Sequence, residues 1–409
     1  MEEIKFALDT FYAVMAGALV MWMAAGFTML EAGMIKKKNA AEIVTKNLGL
    51  YSIACIMYLV CGFALMYPAG ALLDGVIPSI GTSLGLSTSM DNADIGIPYG
   101  MDYSQQADFF FQVVFVATAM SIVSGAVAGR MKILPFFLFA IVLTGFIYPI
   151  QGYWNWGGGF LSGSVGYSDY AGSGTVHLCG AAAALAVVHV LGPRKGKYNS
   201  DGSSNVIAGS NIPMAALGVW ILWLGWFGFN GGSELVVSNE SAAIAVSQVF
   251  LNTNIAAAGG VVASLVISQL VKGKMDITMA MNGAIAGLVA ITAAPSAPSA
   301  GAALLIGAVG GIIVYFSITG LDKRGIDDPV GAISAHGVVG IWGVMAVCFT
   351  GGSLFAQAAG ILAIAGFTYA TSLVTILVID RFIPIRATDM EQDTGLDLVE
   401  TGVEAYPEF

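Results

Sequence analysis

Charged side chains are scarce in this 409-residue sequence. Sixteen Lys and Arg with 26 Asp and Glu make up 10% of it, against roughly 25% in a soluble domain. That shortage excludes an ordinary water-facing surface. The formal net charge of −10 argues against a nucleic-acid partner. Cysteine is equally thin: Cys55, Cys61, Cys179 and Cys348 lie in apolar runs with no C-x-x-C spacing, so they read as small buried residues rather than a disulfide framework or thiolate metal site. No long Ser- or Pro-rich linker divides the chain. Histidine is the rarest polar residue, with three copies.

What is present is apolar. Hydrophobic residues make up 57%, the mean hydropathy is +0.80, and there are 53 glycines, a composition suited to close helix–helix contact in lipid. The chain reads as an all-α polytopic membrane protein. Eleven spans are predicted: Phe11–Met34, Leu48–Met66, Phe109–Ala128, Ile133–Ile150, Ser173–Leu191, Pro213–Asn230, Ala242–Val271, Met279–Ala294, Ala300–Leu321, Ile333–Phe349 and Phe355–Ile379. The seventh exceeds the usual 17–25 residues and is expected to start nearer Asn254; the eighth and tenth are short, as broken or tightly packed helices are. The first run follows Met1-Glu-Glu and is too long for a cleaved signal, so it is expected to be a span.

Basic residues fall in alternate loops. Lys36, Lys37, Lys38 and Lys46 lie between spans one and two, Arg130 and Lys132 between three and four, and Arg194, Lys195 and Lys197 between five and six. Lys272 and Lys274 follow span seven, Lys323 and Arg324 follow nine, and Arg381 and Arg386 follow eleven; only Lys5 falls elsewhere. The positive-inside rule then puts the N-terminus outside and the C-terminus in the cytoplasm. The expected division is a transmembrane domain over 1–383 and a cytoplasmic regulatory tail over 384–409. The loop Tyr67–Gln106, with Asp74, Asp91, Asp94 and Asp102, would draw cations to the outer surface or merely be solvated.

Two stretches echo each other. Asp169-Tyr-Ala-Gly-Ser-Gly-Thr-Val-His177 and Asp328-Pro-Val-Gly-Ala-Ile-Ser-Ala-His336 share an Asp, then a His eight positions later. They fall on spans five and ten, which enter from opposite faces. A 5+5 inverted repeat plus a final helix accounts for this and brings both rings to the midplane. A lone His in an apolar helix is often a satisfied core residue; the paired spacing on symmetry-related spans favours function, because an intramembrane ionisable group is costly. His189, beside Pro193-Arg-Lys-Gly-Lys197, reads as interfacial. Glu31, near the cytoplasmic end of span one, is expected to pair with a nearby lysine.

Aromatic residues cluster at the predicted outer ends: Phe109-Phe-Phe-Gln112-Val-Val-Phe115, Trp154-Asn-Trp156-Gly-Gly-Gly, and Trp223-Leu-Gly-Trp226-Phe-Gly-Phe229-Asn230-Gly-Gly-Ser233. An interfacial aromatic belt accounts for such clusters. So does a cage for an ammonium-like cation, each ring face contributing ~0.5–2 kcal/mol. Asp169 either caps the fifth helix or favours a nearby cation.

Taken in order, these motifs resemble the ammonium transporter (Amt/Rh) family, nearer the Amt branch than the Rhesus branch, across essentially the whole chain. The resemblance implies an eleven-helix protomer in a homotrimer, multi-pass in the cell (inner) membrane, with one pore per subunit and no cofactor. It implies that His177 and His336 are twin pore histidines, that Phe115, Trp156 and Ser233 form the outer recruitment site for ammonium or methylammonium, and that Phe115 and Phe229 close the pore below it. Trp226 would line the pore and Asp169 would support the cation site. The tail, Gly395-Leu-Asp397…Ala405-Tyr406-Pro407, is similar to one that docks between subunits, and a PII-type nitrogen signal protein is the implied cytoplasmic partner. Two departures stand out: Glu400-Thr401-Gly402 replaces a common Glu-His-Gly, and Glu31-Ala32 replaces Tyr-Gly. The implied activity is transport, not enzymic turnover: ammonium binds outside, loses its proton and crosses as ammonia. The alternative is an ammonium sensor signalling through the tail; the expectation of transport rests partly on the absence of an added signalling domain before Phe409. A metal site is disfavoured, because two histidines without a Cys or carboxylate cluster ligate poorly.

Overall fold

The computed structural model describes residues 1–86 and 103–407. Asp91, Asp94 and Asp102 of the acidic loop lie outside the described residues; Asp74 sits on a short antiparallel hairpin, β1 (Ala71–Leu73) with β2 (Ile77–Pro78). Among the described residues, ten helices are long and apolar enough to cross a membrane: α1 Glu2–Met34, α2 Lys37–Met66, α3 Gln105–Val127, α4 Ile133–Asn155, α5 Ser173–Leu191, α6 Ile212–Gly231, α7 Glu240–Lys272, α9 Ala300–Lys323, α10 Ile333–Thr350 and α11 Leu354–Phe382. Between α7 and α9 lies α8, Ile277–Ile291, a shorter apolar helix buried from Met279 onward. Among the described residues the tail holds two further turns, α12, Asp389–Thr394, and a wide turn over Asp397–Thr401.

Loop-to-helix boundaries are set by polar caps. Ser104, Asn211, Asn239, Asp276, Ser299 and Ser353 each accept a first-turn backbone N–H of the helix that follows. Each satisfies a donor that would otherwise have no partner at a helix start. The Asn239 cap corrects the expected start of α7: the helix runs unbroken from Glu240 over 33 residues, long enough to span only with some tilt or overhang. Wide i+5 turns interrupt α2 at Tyr58–Gly62, α4 at Leu143–Ile147 and α6 at Phe227–Gly231. Such turns re-aim side chains within a helix, and the one in α6 carries Phe229 and Asn230.

Close packing depends on residues without bulk. α7, α8 and α9 meet at Gly260, where an added Cβ would stand 2.1 Å from Gly283 O. Backbone-to-backbone approach of this kind supplies the dispersion contact that holds helices together in lipid. α1 lies against α6 and α3, and the starts of α5 and α10 meet each other in the interior.

The basic loops gather at one end of the bundle with the tail. Arg130, fully buried, donates to Gly192 O, Ala126 O and Asp327 O at 3.0, 2.8 and 2.6 Å, tying three loops together. Arg194 forks onto Asp327, with Nε 2.9 Å from Oδ2 and Nη2 2.8 Å from Oδ1. Burial pushes the Asp327 carboxyl up, but the hydrogen bonds of Arg194 and the charges of Arg130 and Arg194 outweigh it and hold the group well below its usual range. Burial brings the Arg130 guanidinium down to about 10, against the opposing pull of Asp327. The tail folds over these loops of its own chain. Leu396 N donates to Asn39 Oδ1 at 2.9 Å, Glu42 N to Asp397 Oδ1 at 2.9 Å, and Ile133 N to Glu400 Oε2 at 2.8 Å.

Lys46 is not a loop residue. It lies within α2, fully buried, paired with Glu42 and donating to Met131 O at 2.6 Å. The expected lysine partner of Glu31 is therefore corrected: Glu31 Oε2 accepts from Ser124 Oγ at 2.7 Å and from Asn47 Nδ2 at 3.3 Å.

Candidate functional site: a histidine pair in an apolar core

The two echoing stretches build the same device. Asp169 and Asp328 each stand three residues before a glycine with positive φ, Gly172 at 109° and Gly331 at 80°, a conformation that costs a side-chain-bearing residue about 1–2 kcal/mol. After each glycine the chain enters a wide helical turn, Ser173–Leu178 and Ile333–Val338. Each aspartate caps the turn. Asp169 accepts from the backbone N–H of Gly172, Gly174 and Thr175 at 3.1, 2.9 and 2.8 Å, and from Thr175 Oγ1 at 3.0 Å and Tyr167 OH at 3.2 Å. Asp328 accepts from Ala332 N at 2.9 Å and Ile333 N at 2.7 Å. A carboxylate so occupied acts first as a cap.

The capped turns bring His177 and His336 together. Their Nδ1 atoms are 3.2 Å apart and the rings stack at 5.1 Å. Aromatic rings pack against both imidazoles. Trp226 stacks on His177 at 5.0 Å, Phe229 lies 5.2 Å from it, and Phe27 lies 6.2 Å from His336. His177 Nε2 has no hydrogen-bond partner among the described residues. A shared Nδ1–H needs one donor ring and one acceptor ring, which fixes opposite tautomers.

On the His177 side lie the remaining residues singled out from sequence. Phe115 and Phe229 are 4.1 Å apart between centroids, tilted by 34°, and Trp156 stands edge-on to Phe115 at 6.1 Å. Trp156 Nε1 donates to the Asp169 carbonyl at 3.0 Å. Ser233 Oγ donates to Phe229 O at 2.8 Å, which leaves its lone pairs available. Phe115, Trp156 and Phe229 thus touch one another on the His177 side, Ser233 joins them through the Phe229 carbonyl, and Asp169 holds Trp156 through its main chain. His189 is remote, 2.9 Å from Tyr369 OH near the surface.

A model of the Ammonium Transporter Family matches residues 11–406. The chain belongs to that family. Ammonium transporter Amt2 of Archaeoglobus fulgidus is 40% identical, with 100% of this chain and 90% of that protein covered. The Bacillus subtilis ammonium transporter is 31% identical over 97% of this chain and 98% of its own length. Among solved structures, a protein described as Sensor Amt Protein superposes with a TM-score of 0.90 at 33% identity, covering 98% of this chain and 100% of that one. Candida albicans Mep2 superposes with a TM-score of 0.81 at 26% identity, covering 96% and 89%.

Some residues of this ammonium transporter family site escaped sequence reasoning. Trp226 Nε1 donates to Thr292 Oγ1 at 2.9 Å, and Thr292 Oγ1 lies 3.1 Å from Asn230 Oδ1; together they fix the indole against His177. Thr292 is a single hydroxyl just past α8, and no spacing marks it. Beside Ser233, Tyr170 OH donates to the carboxylate of Glu234. A carboxylate beside the quoted Gly-Gly-Ser run was the available signal.

Proposed function

We propose that the protein carries ammonium across the cell (inner) membrane: it binds the cation at the Phe115–Trp156–Ser233 mouth, takes its proton, and passes ammonia between Phe115 and Phe229 and along the histidine pair. The observation that carries this reading is the buried Nδ1–Nδ1 contact of 3.2 Å between His177 and His336, walled by Trp226, Phe229 and Phe27.

Energetics select the neutral species. An ammonium ion pays an idealised cost of order 20 kcal/mol to enter a low-dielectric medium. Ammonia pays about 1–3 kcal/mol for lost hydrogen bonds, and the imidazoles return some of them. Potassium has no proton to give up and meets the full cost. The proton follows through the rings: His177 Nε2 accepts it, the His177 Nδ1 proton moves to His336 Nδ1, and the His336 Nε2 proton leaves. Each ring ends neutral with its tautomer exchanged.

Eleven spans in a 5+5 inverted repeat with a final helix suit the matched Asp–Gly–His geometry of α5 and α10, with α8 as the eighth span. The N-terminus is then outside and residues 384–409 form a cytoplasmic regulatory tail. By family likeness the protomer assembles as a homotrimer and takes a PII-type signal protein on its inner face. The sensor alternative draws on the likeness to Sensor Amt Protein; a sensor without transport would carry no ammonium flux. The test is current in liposomes under ammonium and potassium pulses for the parent, His177→Ala and His336→Ala. Both variants are expected to assemble and to lose most ammonium current or potassium exclusion. Parent-like current and exclusion in both would make the histidines structural.

A further inference from the structure

On the His336 side of the pair, away from the Phe115–Phe229 rings, lies a cavity of about 10 Å³, room for one water. Its wall is apolar except for Glu31, Ser121, Asn282 and His336. Glu31 is 1% exposed. Its Oε2 is held by Ser124 and Asn47, whereas Oε1 has no hydrogen-bond partner among the described residues, and neither has Asn282 Oδ1. Two acceptors left over on one cavity wall are costly unless something donates to them. One water placed there could donate to both and accept from His336 Nε2–H, the three partners typical of a buried water. The nearby charges on α2 are engaged elsewhere, since Lys46 is paired with Glu42.

We infer that Glu31 is the proton acceptor on the inner side of the pore, reached from His336 through this one water. The inference rests on the reading above that a proton follows the ammonia. The step is balanced: His336 Nε2–H gives its proton to the water, the water gives a different proton to Glu31 Oε1, and the carboxylate becomes a carboxylic acid. The acid then releases that proton toward the basic end of the bundle. Burial of the carboxylate with one oxygen unpaired makes it a ready acceptor, and the Ser124 and Asn47 bonds keep it in place for the next cycle.

The test uses the full-length protein in liposomes, with two readouts for each variant: ammonium-evoked current, and ammonia permeation from the interior pH rise. Glu31→Gln removes the acidic proton site at nearly constant shape. It is expected to cut current at least about tenfold while ammonia permeation stays at the parent's level, and Glu31→Asp is expected to recover part of the current. Current equal to the parent's in Glu31→Gln overturns the inference, as does an equal loss of both readouts, which marks Glu31 as a tie between α1, α2 and α3. If Glu31→Gln does not assemble, Asn282→Ala reads the same step with Glu31 intact: reduced current supports the inference, unchanged current overturns it. His336→Ala with full current would instead overturn the underlying proton path.

Discussion

Trp156 is held in two ways. Its Nε1–H ties it to the Asp169 carbonyl, and its ring stands edge-on to Phe115. A ring face contributes ~0.5–2 kcal/mol to a cation, so Trp156→Leu is expected to weaken apparent ammonium affinity by roughly two- to thirtyfold. Trp156→Phe keeps a ring face and loses only the indole hydrogen bond, so it should fall between parent and Leu. The concentration dependence of the current measures both; identical curves for parent and Leu would remove Trp156 from the site. At this scale, legibility followed rarity. With three histidines in 409 residues, an echo between two of them could be read from spacing. Thr292 and Asn282 could not, because one hydroxyl or amide in or beside a 15-residue apolar helix makes no pattern. Glu31 was visible but misassigned: sequence distance suggested a lysine partner, whereas helix packing offered Ser124 and Asn47.

The element that positions the site is the capped wide turn at the start of α5 and again of α10. Its demanding residue is the glycine. At Gly331 a Cβ would meet Asn282 Oδ1 at 2.5 Å besides requiring φ of 80°, whereas at Gly325, with φ of 78°, it would meet nothing within 4 Å among the described residues. Backbone strain alone is about 1–2 kcal/mol. Gly325→Ala should therefore show only that, and Gly331→Ala should lose more stability and ammonium current as well, since the clash displaces the turn carrying His336. Thermal unfolding in detergent and liposome current separate the two; equal unfolding temperatures would show that Asn282 yields freely. Ten of the expected spans correspond to membrane-length helices, because apolar runs and their flanking Lys or Arg mark them. The start of α7 was misread for a physical reason. The usual span length argued for a later start, yet Asn252 is buried with Nδ2 donating to Pro295 O and Pro298 O, so the extra turns are helix packed on a loop.

At the scale of the whole molecule, charge separates the two ends. Lys132 and Lys195 meet the tail at one end through Glu391 and Asp393, and Arg130 and Arg194 gather there on Asp327 of the loop before α10. The opposite end carries the Trp156 mouth, Tyr170 and Glu234, and of the 16 basic residues only Lys5 is assigned to it by sequence. Inserting membrane proteins retain Lys- and Arg-rich loops in the cytoplasm, so the basic end and its docked tail should face inward and the mouth outward. Lys37 and Glu240 are both exposed and lie at opposite ends. In intact cells a membrane-impermeant thiol reagent is expected to label Glu240→Cys above the parent's background and to leave Lys37→Cys unlabelled until the membrane is permeabilised. The reverse pattern would turn the molecule over. It would place the aromatic mouth in the cytoplasm, where it could not recruit ammonium from outside, and the proposed direction of uptake would fall with it.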